Sequence, residues 1–283
     1  MAGKIWTYGI SAVFAALLSL TPQEISDLVN KADLVEDDGN YEESNKILFE
    51  ALKADPGNKM AYWMIARNYY NLGEEIPQSR QTEAKKLAYY EKCKEWSQKS
   101  IDKNPQVAEG YFYLGTGISS VVLVQGMVRN LNKFKEVENL WLKTLDMHPT
   151  YSTPTDNTQA NADFALCQYY RKAPESSIMK LLFGTRGDLD KAVKYCGDAV
   201  KILPDRIDLV KEMGVVLTCR GGRRGSQQDI DAGRKWLAKT KTMEATTKID
   251  RIDQEDAQRI MDNPKLACGY SRVQQEEVTE IKK

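Results

Sequence analysis

Four prolines, Pro56, Pro105, Pro149 and Pro204, each close a stretch of helical pattern, and aligning the chain on them exposes one shared register. Fifteen residues before each stand Tyr41, Tyr90, Phe134 and Leu189, all large. Twelve before stand Ser44, Cys93, Val137 and Ala192, and five before stand Ala51, Ser100, Thr144 and Ala199, all small or of modest size. A seven-residue separation returns to nearly the same side of a helix, so the small residues form one stripe along which a second helix can come close.

The segments after the prolines are patterned as well. Beyond Pro56, Pro105 and Pro204, at equal distances, come Ile65-Ala66-Tyr69, Leu114-Gly115-Ile118 and Met213-Gly214-Leu217, each a large residue, a small one, and a large one a turn later. After Pro149 the matching Leu166-Cys167-Tyr170 arrives eight residues late, displaced by the polar loop 152–157 with its Pro154. Each unit therefore reads as helix A, a turn often containing Gly (Gly39, Gly73, Gly187, Gly221), helix B, then Pro. Five units are expected, near 23–57, 58–106, 107–150, 158–205 and 206–243: an all-α helix-turn-helix solenoid with long insertions between the paired helices. Such arrays grow by stacking rather than by enlarging one core, so the 283-residue length does not imply two domains.

Composition removes several functional classes. Forty basic against forty acidic side chains give no net charge, which takes away the bulk attraction behind non-specific nucleic-acid binding. The one histidine, His148, stands before Pro149 with no second histidine to share a metal or a charge relay, and reads as a helix-end residue. Five cysteines, Cys93, Cys167, Cys196, Cys219 and Cys268, contain no C-x-x-C and read as small buried residues, with Cys93 and Cys167 at helix-contact positions. Pairing among them stays open and depends on an oxidising compartment. Gly221-Gly222-Arg223-Arg224-Gly225 lacks a phosphate-loop framework and reads as a flexible turn, and Glu36-Asp37-Asp38 as solvated charge. No catalytic residue, cofactor or metal site is expected.

At the amino end, Lys4 and the apolar run 5–20 have the shape of an export signal, with Ser19-Leu20-Thr21 as the small-residue site and Pro22 just beyond it. Residues 1–21 are thus expected to be a signal peptide or an uncleaved anchor, 22–243 the solenoid, and 244–283 a capping helix near 254–261 with a polar tail. The expected location is periplasmic or secreted, with membrane anchoring as the alternative.

The phrases GNYEESNKILFEALKADPGN at 39–58 and GDLDKAVKYCGDAVKILPDR at 187–206 resemble the second helix of the tetratricopeptide repeat (TPR). The insertions, with AYWMIARNYYNLGE at 61–74, GYFYLGTGI at 110–118 and IMKLLFGTRGDLDKAVKYCGDAV at 178–200, resemble two related groups: the T component of TRAP-type solute transporters and the regulator of microtubule dynamics proteins. No cysteine near residue 20 matches the lipid anchor of the first group, and zero net charge offers no source for docking on an acidic microtubule.

The TPR resemblance implies that the A helices line a concave groove. Facing it would be Trp63, Arg67 and Tyr70, then Phe112 and Thr116, then Phe164, Gln168 and Arg171, an aromatic ladder with a few polar groups suited to a peptide helix or small amphiphile. Burial of Trp63, Phe112 and Phe164 under the inserted arms is the equally weighted alternative. The expected role is a non-enzymatic scaffold binding a protein segment or small ligand in this groove. The alternatives are an oligomeric accessory of a solute transport system handling a small hydrophobic ligand, and a membrane-tethered cytoskeletal adaptor.

Overall fold

Thr21 starts the first helix. Its hydroxyl accepts from the Glu24 amide while the Glu24 carboxylate accepts from the Thr21 amide, and Pro22 follows at the first helical position, where its missing N–H costs nothing. The computed structural model describes residues 20–271 apart from residue 78, so the expected export segment lies almost wholly outside the described residues. Within the described residues twelve α-helices follow in order: α1 (Pro22–Asp37), α2 (Tyr41–Ala54), α3 (Ala61–Glu74), α4 (Glu83–Lys103), α5 (Ala108–Gln125), α6 (Phe134–Asp146), α7 (Thr158–Lys172), α8 (Ser177–Phe183), α9 (Leu189–Ile202), α10 (Ile207–Arg224), α11 (Gln227–Thr240) and α12 (Lys248–Asp262). Short 3-10 segments occupy Met127–Lys133 and Pro264–Gly269, and among the described residues no strand forms beyond an isolated bridge between Ser152 and Asn157.

Apart from the short α8, which α7 bypasses to pack on α9, each helix packs on the next, and α1, α3, α5, α7 and α10 also touch one another in sequence, which makes these A helices the inner layer of the array. The recurring small residues sit at the crossings: Ser44, Cys93, Ala192, Ala51, Ser100, Thr144 and Ala199 are fully buried. Gly214 shows why. A Cβ there would stand 2.6 Å from Leu237 and 2.9 Å from the Gly233 carbonyl, so α11 lies closer to α10 than any other side chain would permit. Gly115 does the same for Trp141 of α6, at 2.8 Å.

Three local expectations change. The unit-two insertion is taken up largely by helix B instead of standing free between the pair: α3 stops at Glu74, and α4 runs for 21 residues. The fourth insertion forms the separate short helix α8. Gly221–Arg224 belong to the last turn of α10, which ends at Gly225 in the left-handed conformation (φ 68°), so only the final glycine of that tract makes the turn. Gly221 lies inside the helix, where the start of α11 leaves no room for a side chain, with Ile230 2.7 Å from where a Cβ would be.

Four cysteines pair. Cys167 of α7 bonds Cys196 of α9, at the crossing where other units place Ala or Gly, and Cys219 of α10 bonds Cys268 in the carboxy-terminal 3-10 segment. Cys93 stays a free, buried thiol.

Candidate functional site

The groove along the A helices is covered at both ends by the chain's own segments. After α6, His148 adopts φ 53°, and residues 149–157 turn back across the inner layer instead of continuing outward. The Tyr151 ring reaches Trp63 edge-on, with centroids 4.8 Å apart, and its amide donates to Glu109 of α5 at 3.2 Å. Arg67 of α3 fastens this strap. One nitrogen donates to the Tyr151 hydroxyl at 2.7 Å and pairs with Asp156 at 3.4 Å, while the other pairs with Asp33 and, at 3.2 Å, with Glu36. Arg67 is 3 % exposed, so three carboxylates from two elements converge on one buried cation. Glu36 also accepts from Asn71 at 2.6 Å. Burial, reinforced by Asp156, Asp37 and Asp33, outweighs the attraction of Arg67 and pushes the Glu36 carboxyl up to about 7. Glu36 is therefore not the solvated charge that Glu36-Asp37-Asp38 suggested.

At the other end, Arg171 holds the carboxy-terminal segment. Its Nε donates to Glu212 of α10 at 2.6 Å, and Nη1 donates to the carbonyls of Ala267, Cys268 and Tyr270 at 3.0–3.2 Å. The Tyr270 hydroxyl accepts from Lys211 and donates to Asp256, both at 2.7 Å, and Lys211 also pairs with Asp253 of α12. The Cys219–Cys268 bond ties the same segment to α10 covalently.

Between these closures lies a cavity of about 520 Å³. Arg67, Tyr70, Phe112, Thr116, Phe164, Gln168 and Arg171 all line it, so the groove register brings together every candidate except Trp63. Trp63 is 1 % exposed, stacked on Tyr113 and covered by Tyr151; the strap fills the place where it would have faced the groove. The ladder is thus two rungs, Phe112 and Phe164, and Arg67 and Arg171 spend their hydrogen bonds on the closing segments and on carboxylates of α1 and α10. The rest of the wall comes from residues that groove register does not mark. Phe134, Val137 and Trp141 of α6 enter from the helix-B layer, with the Trp141 Nε1 donating to the Thr116 hydroxyl at 3.4 Å, Val122 and Leu123 join from the end of α5, and Met127 from the 3-10 segment after it. Arg206, paired with Asp208 at 2.7 Å, and Tyr270 close the far side. Phe134 and Val137 stood in the proline register only as helix-B packing positions, and no pattern marked Arg206 or Tyr270.

Paired helices, small residues at the crossings and an inner layer of A helices define the fold: the chain is built as a tetratricopeptide-repeat-type solenoid. Residues 28–155 match the family model described as Regulator of microtubule dynamics protein 1-3. Among solved structures, a thermophilic TPR protein of Thermus thermophilus superposes with a TM-score of 0.55 at 14 % identity, covering 83 % of this chain and 99 % of that one. PilF of Pseudomonas aeruginosa (TM-score 0.48, 11 % identity, 88 % and 89 % covered) and MamA of Desulfovibrio magneticus (0.45, 13 %, 80 % and 100 %) also match. The comparison with curated proteins finds no match. Among the described residues no group of three or more metal-ligating side chains forms, and no helix is long and apolar enough to cross a membrane.

Proposed function

We propose that this chain is a non-enzymatic binding protein whose concave cavity takes a small amphiphilic ligand. The observation that carries the reading is the double closure of the groove: the strap fixed by Arg67 and the segment fixed by Arg171 leave about 520 Å³, the size of a small-molecule site rather than an open trough for a peptide helix. Phe112, Phe164 and Trp141 offer the ligand apolar contact, and Gln168 and Thr116 offer polar groups. The two disulfides support an oxidising compartment, in keeping with export. An accessory role in solute transport is the second reading, favoured by the same cavity size.

The test is native mass spectrometry of the purified chain together with titration of a fluorescent amphiphile such as N-phenyl-1-naphthylamine. Replacing half-buried Gln168 with tryptophan fills the cavity from its edge, and we expect probe affinity to fall about tenfold or more with the fold intact. Equal affinity in a folded Gln168→Trp protein defeats the cavity reading. A ring-shaped oligomer with small molecules retained favours the transport role over a solitary receptor.

A further inference from the structure

Seven large apolar side chains stand exposed among the described residues, and three of them fall within the seven-residue helix α8. Leu181 is 83 % exposed, Leu182 66 % and Ile178 65 %. Their spacing, i, i+3 and i+4, puts all three on one face, while Met179 is buried and pins the helix to the array. The helix is sharply bounded, with the Ser176 hydroxyl accepting from the Ile178 amide at its start and Gly184 left-handed at its end, so the face is a built ridge.

The surrounding charge is one-sided. Glu175 is paired with Arg223 at 2.7 Å and Glu138 with Lys135 at 2.9 Å, so the acids beside the helix are already answered. Lys180, within α8, and Arg186, just beyond it, are exposed and form no ion pair among the described residues. We propose that α8 is a membrane-docking ridge that lays Ile178, Leu181 and Leu182 into the interfacial layer of an anionic bilayer, with Lys180 and Arg186 against the lipid headgroups. A protruding apolar ridge needs no shape-matched pocket in lipid, and basic flanks add attraction to anionic headgroups. A two-fold contact between copies of the chain would instead bring Lys180 and Arg186 against their own equivalents. This surface stands apart from the cavity and does not depend on what the cavity holds.

The full chain and its Leu181→Glu/Leu182→Glu variant are floated with vesicles of phosphatidylcholine alone and with about one-third phosphatidylserine. The wild type should float with the anionic vesicles, less at high salt, and the variant's vesicle affinity should fall about tenfold or more. Because other parts of the chain could bind vesicles too, a Leu181→Trp variant is read separately: its added fluorescence should be quenched by lipids brominated along the acyl chains. No flotation of the wild type overturns the proposal. So does flotation with the introduced indole unquenched, which places the contact elsewhere. A vesicle-independent dimer that dissolves in the double variant overturns it in favour of a second copy, and capture of acidic peptides without lipid overturns it in favour of a protein partner.

Discussion

The Arg67 guanidinium donates to the Tyr151 hydroxyl at 2.7 Å across 84 residues of chain, and this hydroxyl in turn donates to Asp33 at 3.0 Å. The first two units and the strap that follows the third are joined at that point, because Asp33 lies on α1, Arg67 on α3 and Tyr151 beyond α6. Replacing Arg67 with methionine keeps much of the volume but leaves Asp33, Glu36 and Asp156 without their cation. We expect a loss of about 3–5 kcal/mol in urea unfolding. Tyr151→Phe removes one hydroxyl and should cost about 1–2 kcal/mol. A loss for Arg67→Met no larger than for Tyr151→Phe contradicts the convergence of charges described here.

Stability should fall as pH rises from about 5 to 7.5. Glu36 and Asp163 both have carboxyls pushed up to about 7, chiefly by burial, and both return to ordinary carboxylate values on unfolding. A raised folded value means the native state holds more protons across this window. The contribution is complete below the unfolded values and is lost as pH climbs through about 7, amounting to about 2–3 kcal/mol for each group at most. Urea midpoints measured across the window should show the decline, and Glu36→Gln with Asp163→Asn should flatten it. Carboxylates such as Asp190, Asp198 and Asp229, whose values are lowered, act with the opposite sign at more acid pH and leave this window unaffected.

Thiol counting reads the covalent structure directly. Burial pushes the Cys93 thiol up to about 12, so the native chain should react with no equivalents of a thiol reagent at pH 8. Denatured without reductant it should react with one, and after reduction with five. Three or more thiols in the unreduced denatured chain rule out the paired cysteines.

The Cys219–Cys268 bond holds a segment that is also tied by hydrogen bonds with Arg171, Lys211 and Asp256 and by the buried Ala267 and Tyr270. Cys219→Ser/Cys268→Ser should lower the melting temperature, with about 3–4 kcal/mol at stake from the chain-entropy cost of closing the 49-residue loop. Hydrogen exchange at residues 264–271 should accelerate more than exchange in α3 or α5. Uniform acceleration throughout the array argues against a separately held closing segment.

The ladder candidates show how far periodicity reaches. Phe112 and Phe164 line the cavity because repeat register places equivalent residues of successive A helices on one face, whereas Trp63, at the same register, is covered by Tyr151. The polar loop 152–157 was visible as an insertion, yet nothing in its residues says that it folds inward. Cys167 was readable as a small contact residue, but its bond to Cys196 depends on two helix faces meeting with Cα atoms 5.2 Å apart. Glu36, in an acidic run, looked solvated until Arg67 and Asn71 were seen against it.

Large and small side chains recurring at fixed distances from a proline suffice to specify paired helices, their crossings and the inner layer, since these are local or nearest-neighbour matters in a stacked array. Which segments return to close the groove, and which charges end up buried together, depend on single contacts between residues 34 to 118 positions apart. Such contacts leave no periodic trace, because each is a single pairing satisfied by the folded backbone bringing distant groups together.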